Sequence, residues 1–316
     1  MKIWLFIATV LIVIGILLFV GVMTANGWDF DELSINEYET VEEEITEEFS
    51  DIKITAKNEN VRILPSKDGT CMISVYQNTK TPHKIRTEGG TLIITAEDER
   101  NWLNKFFSVK KQEITVYLPE DIYGKLEINL TTGDVNIAEG FTFDGISVEV
   151  TTGNITLASS ARGDIKLQTT TGDIEINDVY AFSFDLKLTT GDVSVGSAEC
   201  DNSFFIKRTT GDVNIRDLYA ESFTAHGTTG DLVLESVIVN DTISIEGTTG
   251  NVTFDGCDAE NISVDVTTGN VKGILLTDKI ISTKTTTGKV DVPKLSSGGR
   301  LDVSTTTGSI IIKIEK

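Results

Sequence analysis

A chain of 316 residues is long enough for one large domain or two smaller ones. Its 48 Asp and Glu against 27 Lys and Arg give a net charge of -21, which excludes a general electrostatic grip on nucleic acid. The 40% hydrophobic content together with 27 glycines excludes a disordered acidic polymer. Three cysteines, Cys71, Cys200 and Cys257, are odd in number and lack CxxC spacing, which excludes a zinc module or a disulfide-stapled miniprotein. The only two histidines, His83 and His226, lie far apart in sequence and argue against a histidine dyad.

In chain order, Ile3 to Met23 is a run of 21 uncharged residues with Thr9 as its one polar side chain, enough to cross a bilayer core of about 30 Å as a helix. Residues 1–26 are therefore expected to form a transmembrane anchor. The run exceeds the apolar stretch of a signal peptide, and no A-x-A site follows it. Lys2 precedes the span and ten acids with no base follow it in residues 27–50, so the body is expected outside the cytoplasm. That acidic segment repels itself and reads as an extended stalk or a loosely held arm. Residues 51–121 change character to 11 basic and 10 acidic residues in short alternating runs, a strand-rich N-terminal cap punctuated by Pro65, Pro82 and Pro119.

From residue 122 to 316 the motif Thr-Thr-Gly, usually followed by Asp or Asn, recurs ten times at intervals of 19 or 20 residues. Its glycines are Gly133, Gly153, Gly172, Gly191, Gly211, Gly230, Gly250, Gly269, Gly288 and Gly308. Seven residues before the glycine every copy is apolar, from Leu126 and Ile146 to Leu301, and so is every residue two after it, from Val135 to Ile310. The columns at minus five and plus four are apolar except for Thr283 and Gly273, and those at minus six and minus four are polar except for Phe205. This alternation is strand chemistry.

Two geometries accommodate it. Gly-Asp between alternating runs also suits a two-residue hairpin turn, and ten hairpins would make an antiparallel meander. Hairpins leave the far loops free to drift in length, whereas stacked coils must each close over the one below, so the near-constant spacing favours an all-β, parallel β-solenoid of about ten coils. The last copy, ending in Ile310, Ile312 and Ile314 with Lys313 and Lys316 between and after them, is expected to form the exposed terminal edge, blunted by its lysines.

Candidate functional residues are few. Asp173, Asp192, Asp212 and Asp231 occupy one position in four successive copies, a carboxylate row able to recruit calcium. Asn154, Asn251, Asn270, Lys289 and Ser309 stand there in other copies, which favours turn formers and no resident cofactor. Carboxylate pairs for glycoside cleavage should interrupt the repeat, and no copy stands out for such an interruption, so an enzyme is not expected. His226 shares a solvent-facing column with Glu149, Lys187, Lys207, Glu246 and Lys284, and Cys257 an inward one. Trp102, Lys105, Phe106 and Phe107, in the least repeat-like segment, suit either packing of the cap or contact with a membrane or partner.

The Thr-Thr-Gly-Asp-Val and Thr-Thr-Gly-Asn-Val repeats, preceded by ITVYLPEDIYGKLEINLTTGDVNI and a membrane segment, resemble the bacterial putative-adhesin β-strand-repeat family, which includes LiaG-like membrane-anchored proteins. The resemblance covers residues 51–316. It implies a Gram-positive cell-envelope protein tied to envelope stress or adhesion, and supplies no catalytic residues. The expected role is noncatalytic interaction or sensing, with envelope proteins or cationic peptides as partners, against a carbohydrate-binding or carbohydrate-cleaving β-helix as the alternative.

Overall fold

The computed structural model describes residues 2–25, 27, 37–79, 82–96 and 111–315. The helix Lys2–Ala25 contains, at Phe6–Ala25, the one segment among the described residues long and apolar enough to cross a membrane, with mean hydropathy 3.0. The rest of the described chain is all-β, and its repeats form a parallel β-solenoid. In each regular coil a long strand carries the columns before Thr-Thr-Gly, the corner turns at the glycine, and one or two short strands complete the circuit. The first two coils show the rule, with Ile146 beside Leu126, Val148 beside Ile128 and Ile155 beside Val135, all parallel and in register. The hairpin geometry is absent from the repeats. The inward columns form one continuous core in which Phe184, Phe204 and Phe223 stack at centroid distances of 4.7 and 6.1 Å.

The cap is not a separate layer. Its strands Asp51–Ala56 and Glu59–Pro65 form an eleventh coil, pairing parallel with the first repeat through Ile52 beside Leu126 and Val61 beside Val135. Beyond it the two sheets continue through Thr91–Ala96 and His83–Glu88 on one side, and through Gln112–Leu118, Cys71–Asn78 and Tyr38–Ile45 on the other. Part of the expected acidic stalk is thereby ordered. Tyr38–Ile45 pairs antiparallel with Cys71–Asn78, and its glutamates stay exposed because this edge strand is partly covered only at Tyr38, Val41 and Ile45.

The C-terminal end departs from simple succession. The strand Gly299–Thr307 of the tenth coil lies between Asn261–Thr268 of the eighth and Lys279–Thr287 of the ninth, parallel to both. The chain skips one level, builds the ninth coil, then returns into the gap. Ile310–Ile314 is accordingly paired along its length with Val271–Leu275 and at Ile310 and Ile311 with the ninth coil, which takes the terminal position instead. Burial gives the reason. Leu301, Val303, Ile310 and Ile312 of the tenth coil are enclosed, whereas the ninth coil, with Thr283, Thr285 and Lys284 along its strand, is the more polar and takes the open end. Lys284, Lys289 and Lys294 belong to this end coil, so the lysine-protected edge exists one copy earlier than expected. Lys279 ties the arrangement together: buried, it passes Gly299 of the inserted coil to reach Asp258 at 2.6 Å, and also contacts Thr277.

Candidate functional site

The corner is built from two requirements of stacking. Each repeat glycine has φ between 130° and 157°, and a Cβ there would lie 1.8–2.0 Å from a carbonyl oxygen of the neighbouring coil. No other residue satisfies both the backbone and the approach. The residue after the glycine then turns its side chain along the axis. Asn60 Oδ1 accepts the amide of Asp134, Asp134 that of Asn154, Asn154 that of Asp173, and Asp173 that of Asp192, at 2.8–3.0 Å. Asp192 accepts from Asp212, Asp212 from Asp231 and Asp231 from Asn251 at 2.6–2.7 Å. Asn251, Asn270 and Ser309 continue it to the amides of Asn270, Ser309 and Lys289. The proposed calcium row is therefore a ladder of side-chain acceptors. Lysine is tolerated at position 289 because the end coil only donates its backbone amide. Among the described residues no group of three or more His, Cys, Asp or Glu is arranged to hold a metal ion.

With the Asx amide spent on a side chain, the glycine carbonyl needs another donor. The inward column three residues before the glycine supplies it in some coils: Thr169 to Gly153, Thr305 to Gly269 and Thr285 to Gly308, at 2.9–3.2 Å. In the fifth coil this position is Arg208, 6% exposed. Its Nε donates to Gly211 O at 2.6 Å and its Nη2 to Gly230 O and Asp231 O at 2.7 and 3.2 Å. Nη1 sits 2.9 Å from where a Gly227 side chain would begin. Burial pulls the Arg208 pKa below the usual guanidinium value, opposed by the charges of Asp212, Asp231 and Asp192. The run of aspartates thus surrounds a buried cation, while coils away from it use Asn as readily.

This is a local break in the repeat that the sequence reading did not single out, although its signal was present. The same column reads Leu130, Val150, Thr169, Leu188, Arg208, Gly227, Gly247, Val266, and an arginine followed by two glycines at an inward position is anomalous. Outside, Gly227 and Gly247 floor a shallow groove of about 380 Å³ flanked by Lys207, His226, Glu246 and Asp265. His226 Nδ1 lies 3.0 Å from Glu246 Oε2, and its ring 5.7 Å from that of Phe205. These side chains share the outer face, as the column predicts.

The remaining candidates separate. His83 is buried in the cap beside Gln77 and Glu59, far along the chain from His226, and burial pushes its pKa down to about 4. Cys71, Cys200 and Cys257 are free and buried, with burial pushing their thiols up to about 11, 12 and 11. Cys257 Sγ approaches Leu234 O at 3.3 Å as a core residue, and such protonated thiols are inert. Trp102, Lys105, Phe106 and Phe107 lie outside the described residues.

The fold and corner define a class of all-β proteins whose repeats stack as a parallel solenoid closed by glycine turns. The chain belongs to the Toastrack DUF4097 family, which it matches over residues 49–215. No curated protein matches it. A solved structure described as a putative lipid binding protein from Parabacteroides distasonis is 14% identical, covering 88% of this chain and 97% of that one with a TM-score of 0.51. Putative adhesins from Bacteroides fragilis, 14% identical over 88% and 97% of the two chains, and from Parabacteroides distasonis, 10% identical over 88% and 98%, have TM-scores of 0.42 and 0.46. At these identities the first likeness is one of fold alone.

Proposed function

We propose that the protein is a noncatalytic, membrane-anchored, extracytoplasmic solenoid that engages cationic peptides or basic envelope proteins, in an envelope-stress response or adhesion of a Gram-positive cell. The observation that carries this reading is the charge of the repeats: 29 acids against 15 bases in residues 121–316, with the corner aspartates exposed along one line. Such a field steers cationic partners and weakens with salt. The length of the apolar helix supports retention at the membrane, and Lys2 before it supports a body outside the cytoplasm. A capture experiment with a polylysine peptide tests the reading. Binding by the full chain in detergent should disappear at high salt, and fall in the triple variant Asp173→Asn, Asp192→Asn, Asp212→Asn, which keeps the ladder acceptors and removes three charges. Absence of capture at low salt sinks it. A carbohydrate-binding role is the second reading, favoured by Tyr180 and Tyr219, exposed on the side of the solenoid that the chain reaches eight residues after the corner glycines Gly172 and Gly211.

A further inference from the structure

We propose that this side of the solenoid is a platform for a linear β-1,4-linked glycan of neutral or N-acetylated sugars, with Tyr180 and Tyr219 as its two stacking rings. The inference deepens the second reading and uses a face on which the acidic-corner reading does not depend.

Tyr180 lies in the strand Val179–Ala181, whose outer residues are buried and whose centre is exposed, and Tyr219 is flanked in the same way by Leu218 and Ala220. The strands are in register, Tyr180 beside Glu199 and Glu199 beside Tyr219. The two rings therefore project from the same face two strand spacings apart, roughly 9–10 Å. They are 38% and 56% exposed, and Phe182 near Tyr180 is 46% exposed. Single exposed aromatics are ordinary. Here two rings share one outward register, separated by a single strand, and the Tyr180 hydroxyl donates to Asp201 Oδ2 at 2.6 Å, which fixes that ring on the surface before any ligand arrives.

A pyranose ring has an apolar C–H face and a rim of hydroxyls, so stacking on an aromatic buries apolar surface on both partners while the rim remains free to bond. Glu199, between the tyrosines, and Asp201 and Glu221 beside them offer acceptors to that rim. Along an extended β-1,4-linked chain, every second sugar repeats its orientation over about the length of two strand spacings, which sets alternate sugars above the two rings. An α-1,4-linked chain curls away from that register. The same carboxylates repel a polyuronate.

Isothermal titration of the full chain in detergent micelles with chitohexaose and cellohexaose tests the platform, with maltohexaose and hexagalacturonate as the contrasting ligands. Binding is expected for at least one β-1,4-linked hexaose, weaker for its disaccharide, and about tenfold weaker in Tyr180→Ala and in Tyr219→Ala, the size of one lost ring contact. Tyr219→Phe should retain affinity. The exchange Glu199→Tyr with Tyr219→Glu keeps the composition but halves the ring spacing and should lose binding as fully as a single Ala variant does. Unchanged melting curves establish that these outward substitutions leave the fold intact. No heat with either β-1,4-linked hexaose, equal affinity for maltohexaose, or indifference to both Ala substitutions overturns the proposal. Polylysine capture by the same preparation reports on the acidic corner separately.

Discussion

The Asx corner and the inward column beside it solve the same problem in opposite ways. At the corner each coil repeats its neighbour: a glycine that clears the carbonyl below and an acceptor side chain that receives the next amide. Three residues earlier the coils differ, leaving some glycine carbonyls to a threonine and giving two to Arg208, whose guanidinium takes the space of the side chain that Gly227 lacks. The contrast teaches that periodic positions carry the stacking geometry, while aperiodic inward ones carry local electrostatics. Lys279 repeats the device, crossing Gly299 to reach Asp258, so a long cation over a glycine serves twice as a clamp between coils.

Breaking the corner should cost most. Gly211→Ala forces a Cβ to within 1.9 Å of Gly191 O at a φ of 136°, and should destabilise the body by about 3–5 kcal/mol in a denaturant or thermal melt. Breaking the aperiodic column comes next. Arg208→Ala deprives the Gly211 and Gly230 carbonyls of their donor, leaves that of Asp231 with the Val213 amide alone, and opens a cavity, for about 2–4 kcal/mol. Arg208→Leu, which copies Leu188 and Leu130, should recover roughly half of that loss by filling the space. The two regions meet at Asp212. Asp212→Ala orphans the amide of Asp231 and should cost about 1–2 kcal/mol. Asp212→Asn keeps that acceptor but removes a charge near Arg208, so a loss of about 0.5 kcal/mol more than for Asp134→Asn is expected. Equal effects for the two Asn variants would dissolve the link between the aspartate run and the buried arginine. The smallest effect is reserved for calcium, which should leave the melting temperature unchanged because each ladder carboxylate already receives an amide.

Much of this was legible in the aligned repeats. The columns at minus seven and plus two face inward as expected, and the glycine is explained by its corner. The aspartates read as a row of turn formers bonding local amides, but that the amide belongs to the neighbouring coil does not, because the alignment shows which residues share a column and not which atoms face along the axis. Arg208 is hard to single out because the apolar periodicity is strict at minus seven and nearly so at minus five, whereas the column nearest the corner tolerates Thr, Arg and Gly. The cap coil Asp51–Pro65 was hidden for a related reason: Lys57-Asn58-Glu59-Asn60 replaces Thr-Thr-Gly-Asp, keeping only the final acceptor.

By itself the sequence determined the shape of one coil and the fact that coils stack, since period-two burial and a constant circuit length leave few other ways to cover ten apolar stripes. Tertiary structure alone decided the order of the last two coils. Equivalent corners make any coil able to sit on any other, so local pattern cannot choose between neighbours. The choice falls to differences in burial: the apolar tenth coil is enclosed on both faces, and the ninth, with Thr283 and Lys289 as its quiet departures from the pattern, is left to face water.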